Sequence, residues 1–107
     1  IIWDSRRKTT SDILELRVGQ RKRTWISMEF WGEASDFYHV TIQSPTGERL
    51  QVSSALKYGT QELSFVFVET KVMVNYVPIE RRSGNTLIFF GFSIRQRESG
   101  NWKLQEG

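Results

Sequence analysis

Apolar side chains alternate with polar ones along most of this chain, and this period of two residues restricts its fold more than any other feature. In one segment, alternate positions are occupied by Ile88, Phe90, Phe92 and Ile94. Successive side chains of a β-strand point to opposite faces of the sheet, so the alternation indicates strands with one buried face. No segment shows the 3.6-residue period of an amphipathic helix. The sequence therefore predicts an all-β protein.

Turn residues divide the alternating segments into short strands. The predicted strands are Ile13–Val18, Trp25–Trp31, Tyr38–Gln43, Arg49–Val52, Glu62–Val68, Lys71–Tyr76, Thr86–Ile94 and a last strand that begins at Asn101. The fifth is expected to bury Leu63, Phe65 and Phe67 and to be followed by a tight turn at Glu69-Thr70. Gly91 indicates a bulge or a close approach to the backbone. About eight strands favour a two-sheet antiparallel β-sandwich, with a jelly roll as the first interpretation and an immunoglobulin-like sandwich as the second.

The turn Ser44-Pro45-Thr46-Gly47 joins the third and fourth predicted strands. Proline presets φ near −65° at the second turn position, and its missing N–H removes no hydrogen bond there. Gly47 is expected to take the positive φ that leads into the next strand, and the Ser44 hydroxyl to cap the turn. All these roles are structural, so the hairpin is predicted to be scaffold.

Length, composition and charge argue against a membrane-spanning segment and against a nucleic-acid-binding protein. The chain has 107 residues, of which 38% are hydrophobic and 25% charged, with a net charge of +3. This composition predicts one globular domain, and no apolar segment approaches the ~18 residues of a membrane span. The basic runs are Arg6-Arg7-Lys8, Arg21-Lys22-Arg23, Arg81-Arg82 and Arg95-Gln96-Arg97. Each lies beside a predicted turn or terminus without a recognition helix, which favours solvated loop charge over nucleic-acid binding.

Residues that carry chemistry are scarce. The chain has no cysteine and one histidine, His39, which lies on a predicted strand. A thiolate zinc site is therefore excluded, and a single strand histidine is more typical of a half-exposed residue than of a catalytic base. Glu29, Glu33 and Asp36 match no known calcium loop, so we interpret them as solvated carboxylates. We expect no catalytic residue, cofactor or metal site in these residues.

Tryptophans are the candidate contact residues. Trp25 and Trp31 share the strand face opposite Ile26, Met28 and Phe30. They would lie about 20 Å apart along the strand. Contact with a neighbouring domain is the favoured interpretation of this face, and stacking of sugar rings is the alternative. Trp102, in the last strand, is predicted to anchor the core.

Several segments resemble the jelly-roll domain of the Csp-type subtilisin-like serine proteases, bacterial subtilases of spore germination. They are LELRVG, ISMEFWGEASDFYHVTIQSPTGERL, LSFVFVETKVMVNY and SGNTLIFFGFSIRQRESGNWKL, which extend from Leu14 to Leu104. The most specific pieces are Phe30-Trp31-Gly32, the segment Ser44 to Arg49, and Gly100-Asn101-Trp102. The Ser-Pro-x-Gly hairpin and the Gly-x-Trp-x-Leu ending are also similar to the P domain of proprotein convertases.

This resemblance implies a role without catalysis. In the family, the jelly roll is inserted in the catalytic domain between the segments that carry the catalytic histidine and serine, and it makes the protease rigid. No triad residue is implied in this chain. The family includes pseudoproteases, so an active and an inactive parent both remain open. Because the chain begins at Ile1 and ends soon after Leu104, we expect residues 1–107 to be one domain cut from a longer bacterial subtilase.

Strand order predicts where the charged turns lie. Alternate connections of an antiparallel sandwich collect at one end, which brings together the turns that contain Arg21, Arg23, Arg95 and Arg97, with Glu48-Arg49 and Glu69-Thr70. We hypothesise that this mainly basic end docks on an acidic patch of the catalytic domain of the same parent chain; plain solubility is the competing interpretation. A free carbohydrate- or partner-binding module that uses Trp25 and Trp31 is the alternative function. The oligomeric state and the compartment, spore-associated or extracellular, remain open.

Overall fold

A computed structural model describes residues 1–4, 13–19, 22–33, 38–53, 60–77, 84–96 and 100–106. Within these ranges the chain forms nine β-strands. They are β1 (Ile2–Asp4), β2 (Ile13–Val18), β3 (Lys22–Gly32), β4 (His39–Gln43), β5 (Arg49–Ser53), β6 (Thr60–Phe65), β7 (Thr70–Val77), β8 (Thr86–Gln96) and β9 (Gly100–Glu106). None of the described segments is a helix with the length and apolarity needed to cross a membrane.

Two packed sheets confirm the predicted β-sandwich. One sheet has five strands in the order β1-β3-β8-β7-β6, and the other has four in the order β2-β9-β4-β5. The strand pairs β2·β9 and β3·β8 are nested, one in each sheet, as in a jelly roll. Between them in sequence, β4–β5 and β6–β7 form hairpins that each remain within one sheet. The predicted bounds of β2 are correct, and β3 and β8 are longer than predicted.

The core lies between the sheets and is held together by Trp102. This side chain belongs to β9 of the four-stranded sheet and is completely buried. Its ring meets Phe65 edge-on at 4.9 Å and Phe92 at 5.9 Å between centroids, and both partners belong to the five-stranded sheet. Edge-to-face pairs add favourable electrostatics to the area they bury. Trp102 thus joins the two layers, which confirms its predicted role.

The turn between β4 and β5 has the predicted structure. Gly47 has φ 90°, a conformation that glycine adopts without the steric cost paid by other residues. The Gly47 N–H donates to the Ser44 carbonyl at 3.0 Å, and the Glu48 N–H donates to the Ser44 hydroxyl at 3.2 Å. Ser44 is itself buried, so its side chain caps the turn from within.

The β6–β7 hairpin differs from its prediction. Alternation continues through Val68, which predicts a strand from Glu62 to Val68 with Phe67 buried. Instead β6 ends at Phe65, which pairs with Thr70, and the intervening residues form the turn. Val68 and Thr70 are buried, and the Thr70 hydroxyl donates to the Val68 carbonyl at 2.9 Å. This turn places Phe67 outside the sandwich, where it is 77% exposed, so the prediction that Phe67 is buried is wrong.

β1 was not predicted from the sequence. Its three residues pair in parallel with β3, and Trp3 lies opposite Phe30 in the register. The Trp3 ring is buried and meets Phe30 edge-on at 4.9 Å. Three residues are too few to show a period of two, so only the packing of Trp3 reveals the strand.

Replacing Trp102 with Ala should lower the free energy of unfolding by about 3–5 kcal/mol, because it leaves a cavity between the two sheets. Urea denaturation followed by far-UV circular dichroism measures this loss. Trp102→Phe should cost less, since it keeps an aromatic ring between the layers. Trp25→Ala, at an exposed position, is the matched control; an equal loss for Trp102→Ala and Trp25→Ala would contradict the role of Trp102.

Replacing Glu69 with Gly should raise the free energy of unfolding by about 1 kcal/mol. Glu69 has φ 43°, in the left-handed region that disfavours residues with a Cβ atom. Glu69→Ala keeps the Cβ and should give no gain, which separates backbone strain from loss of the carboxylate. Thermal unfolding of the two variants decides the question: equal midpoints would show that φ at this position is not the cause.

Candidate functional site

The outer face of the five-stranded sheet carries exposed apolar side chains. On this face, turned away from the core, Trp25 is 63% exposed, and Ile2 and Phe89 are also exposed. Ile2 of β1 pairs with Glu29 of β3, which pairs in turn with Phe89 of β8, so these residues form a row across the sheet. We call the surface formed by Ile2, Trp25, Phe89 and Gly91 the outer apolar face. Exposed apolar surface of this kind marks contact sites in many proteins.

The Trp25 ring is positioned by a glycine on the next strand. A Cβ atom at Gly91 would lie 3.2 Å from Cζ2 of the Trp25 indole and 3.9 Å from Cβ of Met73. The missing side chain therefore leaves the space that the indole occupies against β8. Gly91 pairs in register with Ser27 and Met73, so the close approach is confirmed and no bulge is present. Trp25 is held against the sheet on one side and open to solvent on the other.

The two predicted contact tryptophans are not equivalent. Both lie on the outer side of β3, as expected from the alternation. Trp31 is half-buried and pairs in register with Asp4 of β1 and Leu87 of β8. β1 therefore flanks Trp31, whereas Trp25 lies beyond the end of β1. As a result, Trp25 is the better exposed of the two.

The structure brings part of the predicted basic end together. Arg23 of β3 pairs in register with Arg95 of β8, and Arg95 is exposed. Arg21 and Arg97 lie outside the described residues. The registers Val18↔Gly100 and Gln43↔Lys103 place the start of β9 at the same end as the end of β2 and the β4–β5 turn. The registers thus agree with the expected arrangement of strand ends within each sheet, and the clustering of the basic turns, with its docking role, stays a prediction.

A cleft of about 480 Å³ lies between this basic end and the β6–β7 turn. Its lining residues are Ser64, Phe65, Val66, Glu69, Thr70, Lys71, Ser93 and Arg95. Val66, which lines the cleft, and the adjacent Phe67 project from the turn with 74% and 77% of their surfaces exposed. Sequence reasoning missed this apolar projection because the alternation runs unbroken through it. The contrast with the buried Val68 appears only once the turn is formed.

The candidate catalytic and metal-binding side chains lie on different parts of the described structure. His39 is exposed on β4, in the four-stranded sheet, away from the outer apolar face. No group of three His, Cys, Asp or Glu side chains in the described ranges is arranged to hold a metal ion. Glu29 is half-buried, Glu33 is exposed, and Asp36 lies outside the described residues.

Fold and surface together define a β-sandwich domain with an apolar outer sheet face. Its fold is similar to part of the CspB protease of Clostridium perfringens, with a TM-score of 0.65 and 14% sequence identity. The similarity covers 91% of this chain and 21% of that protein, so this chain spans about a fifth of the protease's length. No protein-family model and no curated protein matches the chain. The similarity shows a shared β-sandwich fold.

Replacing Gly91 with Val should displace the Trp25 ring from the sheet, because the new side chain occupies the space of the indole. The displaced ring is expected to be more accessible to acrylamide, which is measured by tryptophan fluorescence quenching. The chain has four tryptophans, so the comparison is repeated in a Trp25→Phe background. An increase in quenching that persists without Trp25 would show that Gly91→Val disturbs the whole sandwich instead.

Proposed function

We propose that this chain is a non-catalytic accessory domain of a subtilisin-like serine protease, and that it stabilises or positions the catalytic domain of the same parent chain. The observation that carries the proposal is the outer apolar face around Trp25, on a fold similar to one segment of a Csp protease. The sequence segments that resemble the family's jelly roll support the same assignment. The catalytic residues belong to the parent protein outside this chain.

Trp25 is suited to be the anchor of such a contact. An exposed indole buries a large area on docking, and tryptophan is enriched among the residues that dominate interface energies. Because its ring already rests against Gly91, docking immobilises little additional freedom. Ser27 and Ser93 are its polar neighbours on the same face, since Ser93 is the register partner of Trp25. An apolar centre bordered by small polar groups is the usual anatomy of a domain contact.

Docking stabilises the protease because the domain is covalently part of it. Because the two domains are linked, each is present at a high effective concentration for the other, so even a weak contact between them is formed most of the time. Its free energy adds to that of the catalytic domain, in the same way that any ligand of the native state opposes unfolding. The sandwich is rigid across its five-stranded sheet, so it holds the segments that enter and leave it in fixed relative positions. The domain thus stabilises the protease and takes no part in the catalytic reaction.

A second candidate function is carbohydrate binding at Trp25. The exposed indole favours it, because one face of a sugar ring stacks on such a side chain. Trp31 was predicted to share this role, and its half-buried position leaves Trp25 with the larger accessible surface. Titration with oligosaccharides discriminates the functions: quenching of Trp25 fluorescence supports carbohydrate binding, and an accessory domain gives no response.

The first test is the reading frame on both sides of this segment. The proposal predicts subtilase Asp and His motifs upstream and a Gly-Thr-Ser nucleophile motif downstream. Their presence would place this chain between the two parts of a catalytic domain. A reading frame without them would contradict the accessory role and leave a binding module that depends on Trp25.

In the full-length protein, the double variant Trp25→Ser/Phe89→Ser should lower the melting temperature of the catalytic domain by several degrees and speed its proteolysis. Both changes remove apolar contact area from the outer apolar face, and loss of about 2 kcal/mol in a domain of ordinary size has this effect. In the isolated 107-residue chain the same variant should lower the melting temperature less, since the two side chains are already exposed to solvent there.

Ile13→Ser is the matched control, because Ile13 is exposed on β2 in the other sheet. It should leave the full-length protein unchanged. If the double variant and Ile13→Ser give the same melting temperature in the full-length protein, the outer apolar face does not dock on the catalytic domain.

A further inference from the structure

The β6–β7 turn presents an apolar tip that the proposed function does not use. Val66 and Phe67 are neighbours at the end of the hairpin and are the two most exposed of the large hydrophobic side chains in the described ranges. We call this pair the apolar tip. It lies beyond the end of the sheet, whereas the outer apolar face lies across its middle. A convex pair of apolar side chains is suited to insertion into an apolar environment, such as a hydrophobic pocket or the interior of a membrane.

The apolar tip is held rigidly. On its C-terminal side Val68 is buried, and the Thr70 hydroxyl donates a hydrogen bond to the Val68 carbonyl at 2.9 Å. On its N-terminal side Phe65 is buried against Trp102. The chain is therefore anchored in the core immediately before and after the tip. Val66 and Phe67 cannot fold back onto the sandwich without displacing these anchors, so their exposure is a feature of the native state.

Basic and acidic residues both lie at the end of the sheet that carries the apolar tip, and the basic ones are more numerous. Lys71 and Arg95 line the cleft beside it, together with one carboxylate, that of Glu69. Lys71 lies 3.9 Å from Glu62, but both side chains are largely exposed, and an exposed pair of this kind is weak. Arg23 is the register partner of Arg95, which places another basic residue at this end of the sheet. We call Lys71 and Arg95 the basic collar; with Arg23 they outnumber Glu69 and Glu62 at this end. An apolar tip beside such a collar is complementary to a surface that is anionic outside and apolar within.

We propose that the apolar tip and its basic collar dock this domain onto an anionic lipid bilayer. Phe67 and Val66 insert below the headgroups, and Lys71 and Arg95 contact the lipid phosphates. Peripheral binding of this type combines buried apolar side chains with attraction of Lys and Arg to anionic lipids. A stable protein contact needs roughly 800 Å² from each partner, more than two side chains supply. Lipid molecules instead rearrange around a small inserted protrusion, so the small size of the tip favours a lipid bilayer over a protein partner.

Vesicle cosedimentation of the 107-residue chain tests this proposal. Wild-type protein should bind vesicles that contain 30% phosphatidylglycerol in phosphatidylcholine, and should bind pure phosphatidylcholine at least about tenfold more weakly. Raising the salt concentration to ~0.5 M should release it, since screening removes attraction between exposed charges. Binding to neither kind of vesicle, or equal binding to both, overturns the proposal.

Variants separate insertion from simple charge attraction. Phe67→Ser should weaken binding to anionic vesicles by about tenfold or more, because the inserted ring is lost. Arg95→Glu should weaken it by about tenfold, because one contact is replaced by a repulsion. Ile13→Ser, at an exposed apolar position of β2 in the other sheet, is the matched control and should bind as wild type. Phe67→Ser with wild-type binding overturns the role of the tip.

Insertion itself has a spectroscopic signature. In a Trp25→Phe background, Phe67→Trp should show a blue shift of its emission when anionic vesicles are added. Competition by soluble glycerophosphoglycerol with no blue shift would show headgroup binding without insertion and overturn the proposal. Protection of residues 64–71 from hydrogen exchange in the lipid-free full-length protein would show that the catalytic domain covers the tip, which also overturns it. These outcomes do not bear on docking through Trp25.

Discussion

The antiparallel pairing of β3 with β8 determines the arrangement of the rest of the molecule. It joins Lys22 to Gln96 and Gly32 to Thr86 without interruption and lies at the centre of the five-stranded order. Its register decides which side chains face inward. Met28 and Phe90, which are paired, are buried, whereas their neighbours Ser27 and Gly91 face outward. A slip of one residue in this ladder would turn the core residues to solvent, so burial of the core and exposure of the outer face have one cause.

The contact surfaces follow from this register. Because Gly91 falls beside Trp25 on the outer face, the indole has space against the sheet and yet remains open to solvent. At the end of the same strands, the pairing brings Arg95 opposite Arg23, and the adjoining hairpin adds the exposed Phe67. The outer apolar face and the apolar tip are thus different places on one sheet. A domain built in this way presents two separate surfaces: a broad apolar one around Trp25, and a narrow one at the sheet end that carries Phe67 and Arg95.

Much of the fold follows from local patterns. The bounds of β2, the turn at Ser44 and the burial of Trp102 agree with expectation, because each depends on residues close in sequence or on one large apolar side chain. The position of Phe67 was predicted wrongly because the alternation around it is compatible with two hairpins, one that buries Phe67 and one that buries Val68 and Thr70. Periodicity alone does not distinguish the second hairpin, which the structure adopts, from the first. Among the candidate contact residues, the sequence placed Trp25 and Trp31 on the correct face but carried no information on their unequal exposure.

The sequence by itself determined that the chain is an all-β sandwich and which face of each long strand enters the core, because the period of two is a local property of the strand. Tertiary structure alone decided that β1 inserts Trp3 beside Phe30, that Trp25 rests on Gly91, and that Phe67 projects from its hairpin. Each of these depends on which strands become neighbours and on how a turn closes between buried anchors. Such relations join residues distant in the chain, so no local pattern records them.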